Sequence, residues 1–449
     1  MTEQREVLSG WGRATRSPAV VSHEDGVAAV VDLVRSCVAG GLPRGLLARG
    51  LGRAYGDAAL NAGGRVLRTD AMTGVGDIDD AGVVDVQAGA SIEAVLRHAV
   101  PRGWFVPVTP GTRHVTLGGA LAADVHGKNH HRDGSIGQHV EELEVVDGTG
   151  TVRTLRPGDA AYGAVVGGMG LAGIVTRVRL RLIPVGTASI TVHTRRTADL
   201  DETMAALEAD DTRHRYTVAW LDTLAPGQAL GRGVLTSGDH SAADETGRRP
   251  TSLGDFSVAP VVPAPPWAPS GMLRASTMRV FNEAWYRKAP ARPSVTTESV
   301  TSFFHPLDVV GGWNRLYGAQ GFLQHQFAVA DGECVRLVLE LFRSERVPGF
   351  LAVLKRFGPG NDLPLSFPTA GWTLAVDMPA TPRLAAVLDR ADEVVAGHGG
   401  RLYLAKDSRM RPQLLAAMYP RLDEWRAQRE LLDPHHLFVS DLSRRLSLC

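Results

Sequence analysis

Apolar positions along this chain follow two rhythms. Val27, Val30, Val31, Val34 and Val38 recur at the spacing of one helix face, which predicts a helix over residues 23–41, stopped by Gly40-Gly41. Residues 46–48, 66–69, 83–87 and 105–108 are short apolar runs that predict strands, and 83–87 alternates. Ser91 can cap a helix over 92–100. Residues 142–146 and 151–155 flank Asp147-Gly148, a hairpin signal. Residues 174–183 alternate Val with Arg, as a strand with one wet face does. From about Pro184 the texture changes. Residues 189–193 and 215–221 predict strands around a helix over 201–209. GFLQHQFAV (321–329) alternates, with Leu323, His325 and Phe327 on one face and Gln324 and Gln326 on the other. Residues 335–342, 350–357 and 372–378 complete a mixed sheet and helix unit. Helical pattern returns over 412–418 and 421–430, parted by Pro420. Residues 225–270 are rich in Pro, Gly, Ser and Asp and predict no regular element. Their apolar members, Val261, Val262, Trp267, Met272 and Leu273 at its edge, suit either a linker or a lid that meets an apolar partner.

Three glycine clusters punctuate the first 185 or so residues: RGLGRAYGD (49–57), the Gly118-Gly119 pair, and GGMGLAG (167–173). Glycine lets backbone amides approach an anion or a planar ring closely, and a helix start adds its positive end. Three such sites suit a long dinucleotide gripped at several points. The central cluster lies in PVTPGTRHVTLGGALAADVHGKNHH (107–131), where HGKNHH places His and Lys side chains beyond the glycine pair. Lys406 follows the strand-like residues 402–405, where a sheet edge projects side chains.

Composition narrows the classes. Lys+Arg and Asp+Glu each number 48, so the net charge is zero and no nucleic-acid partner is expected. At 449 residues the chain exceeds one ordinary core, and two domains are expected. Apolar content of 44% is that of a soluble globular enzyme. Cys37, Cys334 and Cys449 have no metal or redox spacing, so no metal is expected and a reducing compartment fits. The N-terminal MTEQREVLSGWGRATRS lacks an apolar run, so no signal peptide is expected, and no stretch is long enough to span a membrane.

RGLGRAYGD, PGTRHVTLGGALAADVHGKNHH and GGMGLAGIVT together resemble the FAD-binding half of the vanillyl-alcohol-oxidase type of flavoproteins. More narrowly, the chain is similar nearly end to end to the decaprenylphosphoryl-β-D-ribose 2'-oxidase family. WGR at Trp11, FFHPLD at Phe303, GWNRLYG at Gly312, GFLQHQF, FGPGN, PLSFP, GRLYLAKDSR, MYPRLDEWR and DPHHLFVSDLSRRL carry that similarity. The resemblance implies an α+β, two-domain FAD-binding fold of the PCMH/VAO type with a mixed-sheet substrate domain. Residues 1–186 would bind FAD, 187–400 would cap it with a mobile Pro-rich loop at about 225–275, and 401–449 would return to the FAD domain. The implied reaction oxidises the C2 hydroxyl of a polyprenylphosphoryl-β-D-ribofuranose to a ketone. A partner NAD(P)H-dependent reductase would then deliver the arabinose epimer. A cytoplasmic protein follows, with peripheral membrane contact through the loop.

Site roles follow from the same resemblance. Cofactor contacts fall on Arg49, Gly50, Leu51, Gly52, Arg53, Ala54 and Tyr55; on Pro110, Gly111, Thr112, Thr116, Gly118, Gly119 and Ala123; on His126, Gly127, Asn129 and His130; on Gly170, Gly173 and Ile174; and on Tyr403 and Lys406. Lys128, Trp220, Gln324, Gln326, Lys355, Phe357, Thr373 and Ala375 would face the substrate. Lys406, His126, Lys128 and Tyr55 would carry the chemistry, Lys406 as the cation beside the reduced ring or the substrate hydroxyl. Arg53 stands where covalent relatives carry histidine, which implies dissociable FAD. The family's pocket cysteine and asparagine are replaced by Ala375 and Thr373, and a family tyrosine corresponds to Phe304 or His305. An oxidase of another sugar, polyol or nucleoside-type alcohol keeps the same chemistry. A flavin-holding scaffold without turnover is the reading from another class.

Overall fold

A computed structural model describes residues 4–242, 252–258, 262–264 and 274–449. The first half of the chain builds two sheets. One orders Gln4–Ser9, Arg16–His23, Arg65–Arg68 and Leu46–Arg49; the other orders Val75–Ile78, Val83–Gln87, Ile174–Arg181, Val140–Val146 and Val152–Leu155. The predicted hairpin at Asp147 is present, with Val146 paired to Val152. The helix Val27–Ala39 buries Val30, Leu33, Val34 and Cys37. It starts four residues later than its pattern predicts, because Arg16–His23 is itself a strand. Ser91 caps Ile92–Ala99 by accepting the Ala94 amide. The strand expected over 105–108 shrinks to Trp104–Phe105.

An eight-stranded sheet dominates the second half. Its order is Ser294–Ser299, Ser189–Thr197, Gly233–His240, Tyr216–Leu221, Ala352–Phe357, Gly371–Pro379, Phe322–Val329, Arg401–Leu402. The helices Gly332–Ser344 and Pro382–Gly397 contact its strands. Fold class is thus α+β, a two-domain FAD-binding fold.

The expectation of no regular element over 225–270 is corrected. Gly233–His240 is an inner strand, paired on both sides. Its polar residues, which read as loop, have partners: Ser237 bonds Asp210, and Asp239 accepts from Arg215 and pairs with His214. Gly238 sits where a Cβ would meet Ile190 at 2.8 Å. Val262 lies in a short strand against Val310. Val261, Trp267, Met272 and Leu273 lie outside the described residues, as do residues 243–251, 259–261 and 265–273 of the proposed lid and its edge.

The chain's end packs on its beginning. Leu46 forms a parallel bridge with Phe438. Trp425 is fully buried and its indole donates to the Ala164 carbonyl at 3.2 Å. Arg445 forks onto Asp57 and reaches Asp407 at 2.9 Å. Other contacts tie the halves across the site. Asp308 accepts from the Thr112 hydroxyl and the Arg113 amide, and His305 meets the Thr109 hydroxyl at 2.8 Å.

Candidate active site

Between these two halves lies a cavity of about 330 Å³. Its floor is built from the glycine-rich segments. The strand Leu46–Arg49 delivers residues 49–55 to it, and Arg49 is fixed by donating to the Ala59 and Ser9 carbonyls. Thr116 caps the helix Leu117–Ala122, accepting the Gly119 amide at 3.2 Å. That helix is short and ends before HGKNHH. His130–Asp133 is a separate turn, so the histidines do not continue the glycine-led helix. Gly118 packs against Ala88, where a Cβ would come within 3.0 Å. A Cβ at Gly111 or Gly170 would meet nothing within 4 Å, and both positions line the cavity. Side-chain-free backbone therefore faces open space at two points, as a cofactor cradle requires.

The roof is strand side chains. Gln324 and Gln326 lie two apart on Phe322–Val329 and both reach the cavity. Ala375 faces Gln326 across the ladder, and Lys355 lines the wall from the next strand. His126 packs on Phe357, Phe367 and Tyr403, and its Nε2 lies 3.1 Å from the Gln326 amide nitrogen. With the amide as donor, the ring proton sits on Nδ1, which has no partner in the protein. Tyr403 donates its hydroxyl to the Ala123 carbonyl at 2.9 Å.

Lys406 Nζ lies 3.6 Å from the centre of the Tyr55 ring. Burial pushes Lys406 down to about 7, with Lys355 adding repulsion and Asp377 opposing both. Burial alone pushes Lys355 down to about 8. His126 is held well below its ordinary value by burial and by the Lys355, His130 and Lys406 charges. Cations so weakly compensated are costly unless an anion arrives. The donor set thus fits a flavin nucleotide with an anionic co-ligand.

The structure gathers Arg49, Gly50, Leu51, Gly52, Arg53, Ala54, Tyr55, Pro110, Gly111, Thr112, Thr116, Gly118, Gly119, Ala123, His126, Gly170, Gly173, Gln324, Gln326, Lys355, Ala375, Tyr403 and Lys406 around one cavity. Other expected site residues do not line it. Lys128 points instead to the Phe303 carbonyl and stands 4.1 Å over the Phe303 ring. Asn129 is spent on the Pro107 carbonyl and Asp133. His130 packs on Phe357, and both stand behind His126. Thr373 supports Gln326 at 3.3 Å. Trp220 is a strand residue opposite Val234, while Gly127 and Ile174 are buried off the wall. Phe304 and His305, where the family tyrosine was expected, are buried too.

Sequence reasoning missed Trp11, Met169, Leu307, Trp313, Leu351 and Val353 on the wall. Alternation along the strand with Lys355 gives the last two. Asp377 was also missed. It stands opposite Gln324 in the ladder, on the face of Thr373 and Ala375.

Residues 18–156 match the FAD binding domain family. The chain is 40% identical over 454 residues to decaprenylphosphoryl-beta-D-ribose oxidase of Mycolicibacterium smegmatis, covering 98% of this chain and 97% of that protein. The chain belongs to that oxidase family. It is an FAD-dependent oxidoreductase acting on CH–OH groups, and FAD is its cofactor. A Streptomyces coelicolor protein, "Uncharacterized protein in mprA 5'region", is 40% identical over 366 residues, 78% of this chain and 97% of its own. Alditol oxidase of a Streptomyces strain is 30% identical over 122 residues, 27% of this chain and 29% of its own. Among the described residues no helix is long and apolar enough to cross a membrane, and no group of His, Cys, Asp and Glu could hold a metal ion.

Proposed function

We propose that this enzyme oxidises the C2 hydroxyl of a polyprenylphosphoryl-β-D-ribofuranose to the 2-keto sugar, the first half of an epimerisation. The observation that carries the reading is a cavity with desolvated lysines, two of whose lining leucines adjoin further apolar side chains. Lys355 and Lys406 line it, and so do Leu307 and Leu351. Next to Leu307, Val309 and Val310 are 38% and 36% exposed, and Val262 pairs with Val310. Beside Leu351, Phe350 packs on Phe281, which stacks with Trp285. A phosphate suits the cations and a prenyl chain suits these apolar side chains. A free polyol would need neither.

When bound, FAD supplies the hydride acceptor. In this reading the chain's residues do the rest. Residues 1–186 and 401–449 hold the cofactor, and 187–400 cover it. Backbone around Gly50, Gly52, Gly111, Gly118, Gly119 and Gly170 receives it. Lys406 supplies the cation that favours a reduced, anionic ring. Gln326 and neutral His126 orient the sugar, and Lys355 meets the phosphate. Lys128, partly buried and pushed down to about 7 by burial and Lys355, extends the positive field behind them. Arg53 lies over the Trp11 ring at 3.9 Å, and no covalent flavin link is proposed. A keto-sugar reductase would consume the product, and contact with a membrane surface would be peripheral, through the exposed Val262, Val309 and Val310.

The test is product analysis. Holoenzyme given the prenylphosphoryl ribofuranoside should yield a species lighter by two hydrogens, located at C2 by borohydride trapping. Turnover of alditols or free nucleosides with no turnover of the lipid sugar would overturn the substrate assignment.

A further inference from the structure

The helix Leu117–Ala122 ends on an unusual residue. Its closure uses two bonds: the Asp124 amide donates to the Leu121 carbonyl at 2.9 Å, and the Val125 amide to the Ala120 carbonyl at 3.0 Å. In this closure the turning residue takes a positive φ and is ordinarily glycine. Here it is Asp124, at φ 39°. A side chain strains that conformation, and the strain persists only where the surrounding structure holds it. Glycine would end the helix without strain, so the carboxylate must serve another purpose.

That carboxylate is fully buried and gathers four neutral donors. Its Oδ2 accepts from the Ser135 hydroxyl at 2.7 Å, the Ser366 hydroxyl at 2.6 Å and the Asn361 side-chain amide at 2.7 Å. Its Oδ1 accepts the Gly137 backbone amide at 3.0 Å. Ser135 and Gly137 belong to the first half of the chain. Asn361 and Ser366 belong to the second, between the strands Ala352–Phe357 and Gly371–Pro379.

Each segment so gathered leads to the cavity wall within a residue or two. Ala123, Val125 and His126 line the cavity. The Ser135 backbone bridges His126, and the Ile136 amide donates to the Val125 carbonyl at 3.0 Å. Ser366 precedes Phe367, whose ring centre lies 5.5 Å from that of His126 and 4.5 Å from that of Tyr403. Tyr403 in turn donates to the Ala123 carbonyl, next to Asp124. Asp124 does not itself line the cavity, so any effect on the reaction passes through these neighbours.

We propose that Asp124 is a positioning residue: its carboxylate clamps three segments together behind the wall and so holds the His126 ring against Gln326, facing the substrate. The clamp also joins the two halves of the site, because its donors come from both. The proposal rests on the reading of neutral His126 as a group that orients the sugar.

Asp124→Gly tests it, since glycine suits the backbone there and removes only the clamp. In crystals of the FAD-loaded variant the His126 ring should shift by about 1 Å and part from Gln326, a displacement large enough to slow the chemistry by about 10²-fold. Stopped-flow reduction of the flavin by saturating prenylphosphoryl ribofuranoside reads that loss. In a His126→Ala background Asp124→Gly should slow reduction no further, as coupled residues require. An unmoved His126, a wild-type reduction rate, or an equal loss without His126 overturns the proposal. A wild-type enzyme that the lipid sugar does not reduce would strike the substrate assignment, and the place of His126 in the crystals would still decide this one. If Asp124→Gly does not retain FAD, Ser366→Ala decides. It removes one donor, and should displace His126 and slow reduction on the order of tenfold, with no such loss in the His126→Ala background. An unmoved His126 in that variant contradicts the idea.

Discussion

In the proposed reaction Lys406 supplies the charge beside the flavin. Replacing it with alanine removes a cation but no backbone contact with the cofactor. Lys406→Ala should therefore bind FAD and lose most substrate-driven flavin reduction, by about 10²-fold or more. Stopped-flow absorbance checks this, and a fully active variant would remove Lys406 from the mechanism. A second residue-scale prediction concerns His130. Burial, with the Lys355 and His131 charges, pushes it from 6.5 down to about 3. The unfolded chain takes up that proton near 6.5 and the folded chain does not, so falling pH disfavours the fold through this window. His130→Phe should flatten the stability loss between pH 6.5 and 5 by about 2 kcal/mol, measured by denaturant melts at each pH. At this scale the glutamine pair was legible, because alternation alone puts Gln324 and Gln326 on one face. Asp377 was not. An acid on a strand ordinarily faces water, and only the register against Gln324 shows that this one does not.

Elements build the proposed cofactor cradle, and their glycines separate two kinds of cost. Gly111 faces open cavity, with no positive φ, so Gly111→Ala should leave thermal stability unchanged and weaken FAD affinity. Gly118 is packed on Ala88, so Gly118→Ala should lower stability by about 1–3 kcal/mol through overpacking. Thermal melts of the two apoproteins, beside fluorescence titration with FAD, would distinguish them. Equal stability losses would mean that the glycines are merely structural. Capping and period located Ile92–Ala99, Leu200–Asp211 and Phe322–Val329 from sequence. The strand Gly233–His240 escaped because its Ser, Gly and Asp residues signal turns. They are tolerated there through partners contributed by Asp210, Arg215 and His214, which no local pattern reveals.

At the scale of the molecule, the last fifty or so residues lock the N-terminal segment beneath the cavity. Arg445 is the tie, holding Asp57 and Asp407 at once. Arg445→Met should cost about 3 kcal/mol, because two buried carboxylates lose their counter-charge. Chemical denaturation reads that loss; a cost under 1 kcal/mol would show that the tie contributes little. The return of the tail was implied by resemblance and not by any local signal, since contacts such as Arg445–Asp57 span nearly the whole chain. The same holds for the cavity itself, whose floor and roof come from segments about 150–330 residues apart.

The central claim is that one cavity presents a prenylphosphoryl ribofuranoside to FAD. Anaerobic titration of the holoenzyme with that lipid sugar tests it most directly. The flavin absorbance near 450 nm should bleach to completion with one equivalent per site. Bleaching by no concentration of the lipid sugar, in protein that holds FAD, would contradict the account.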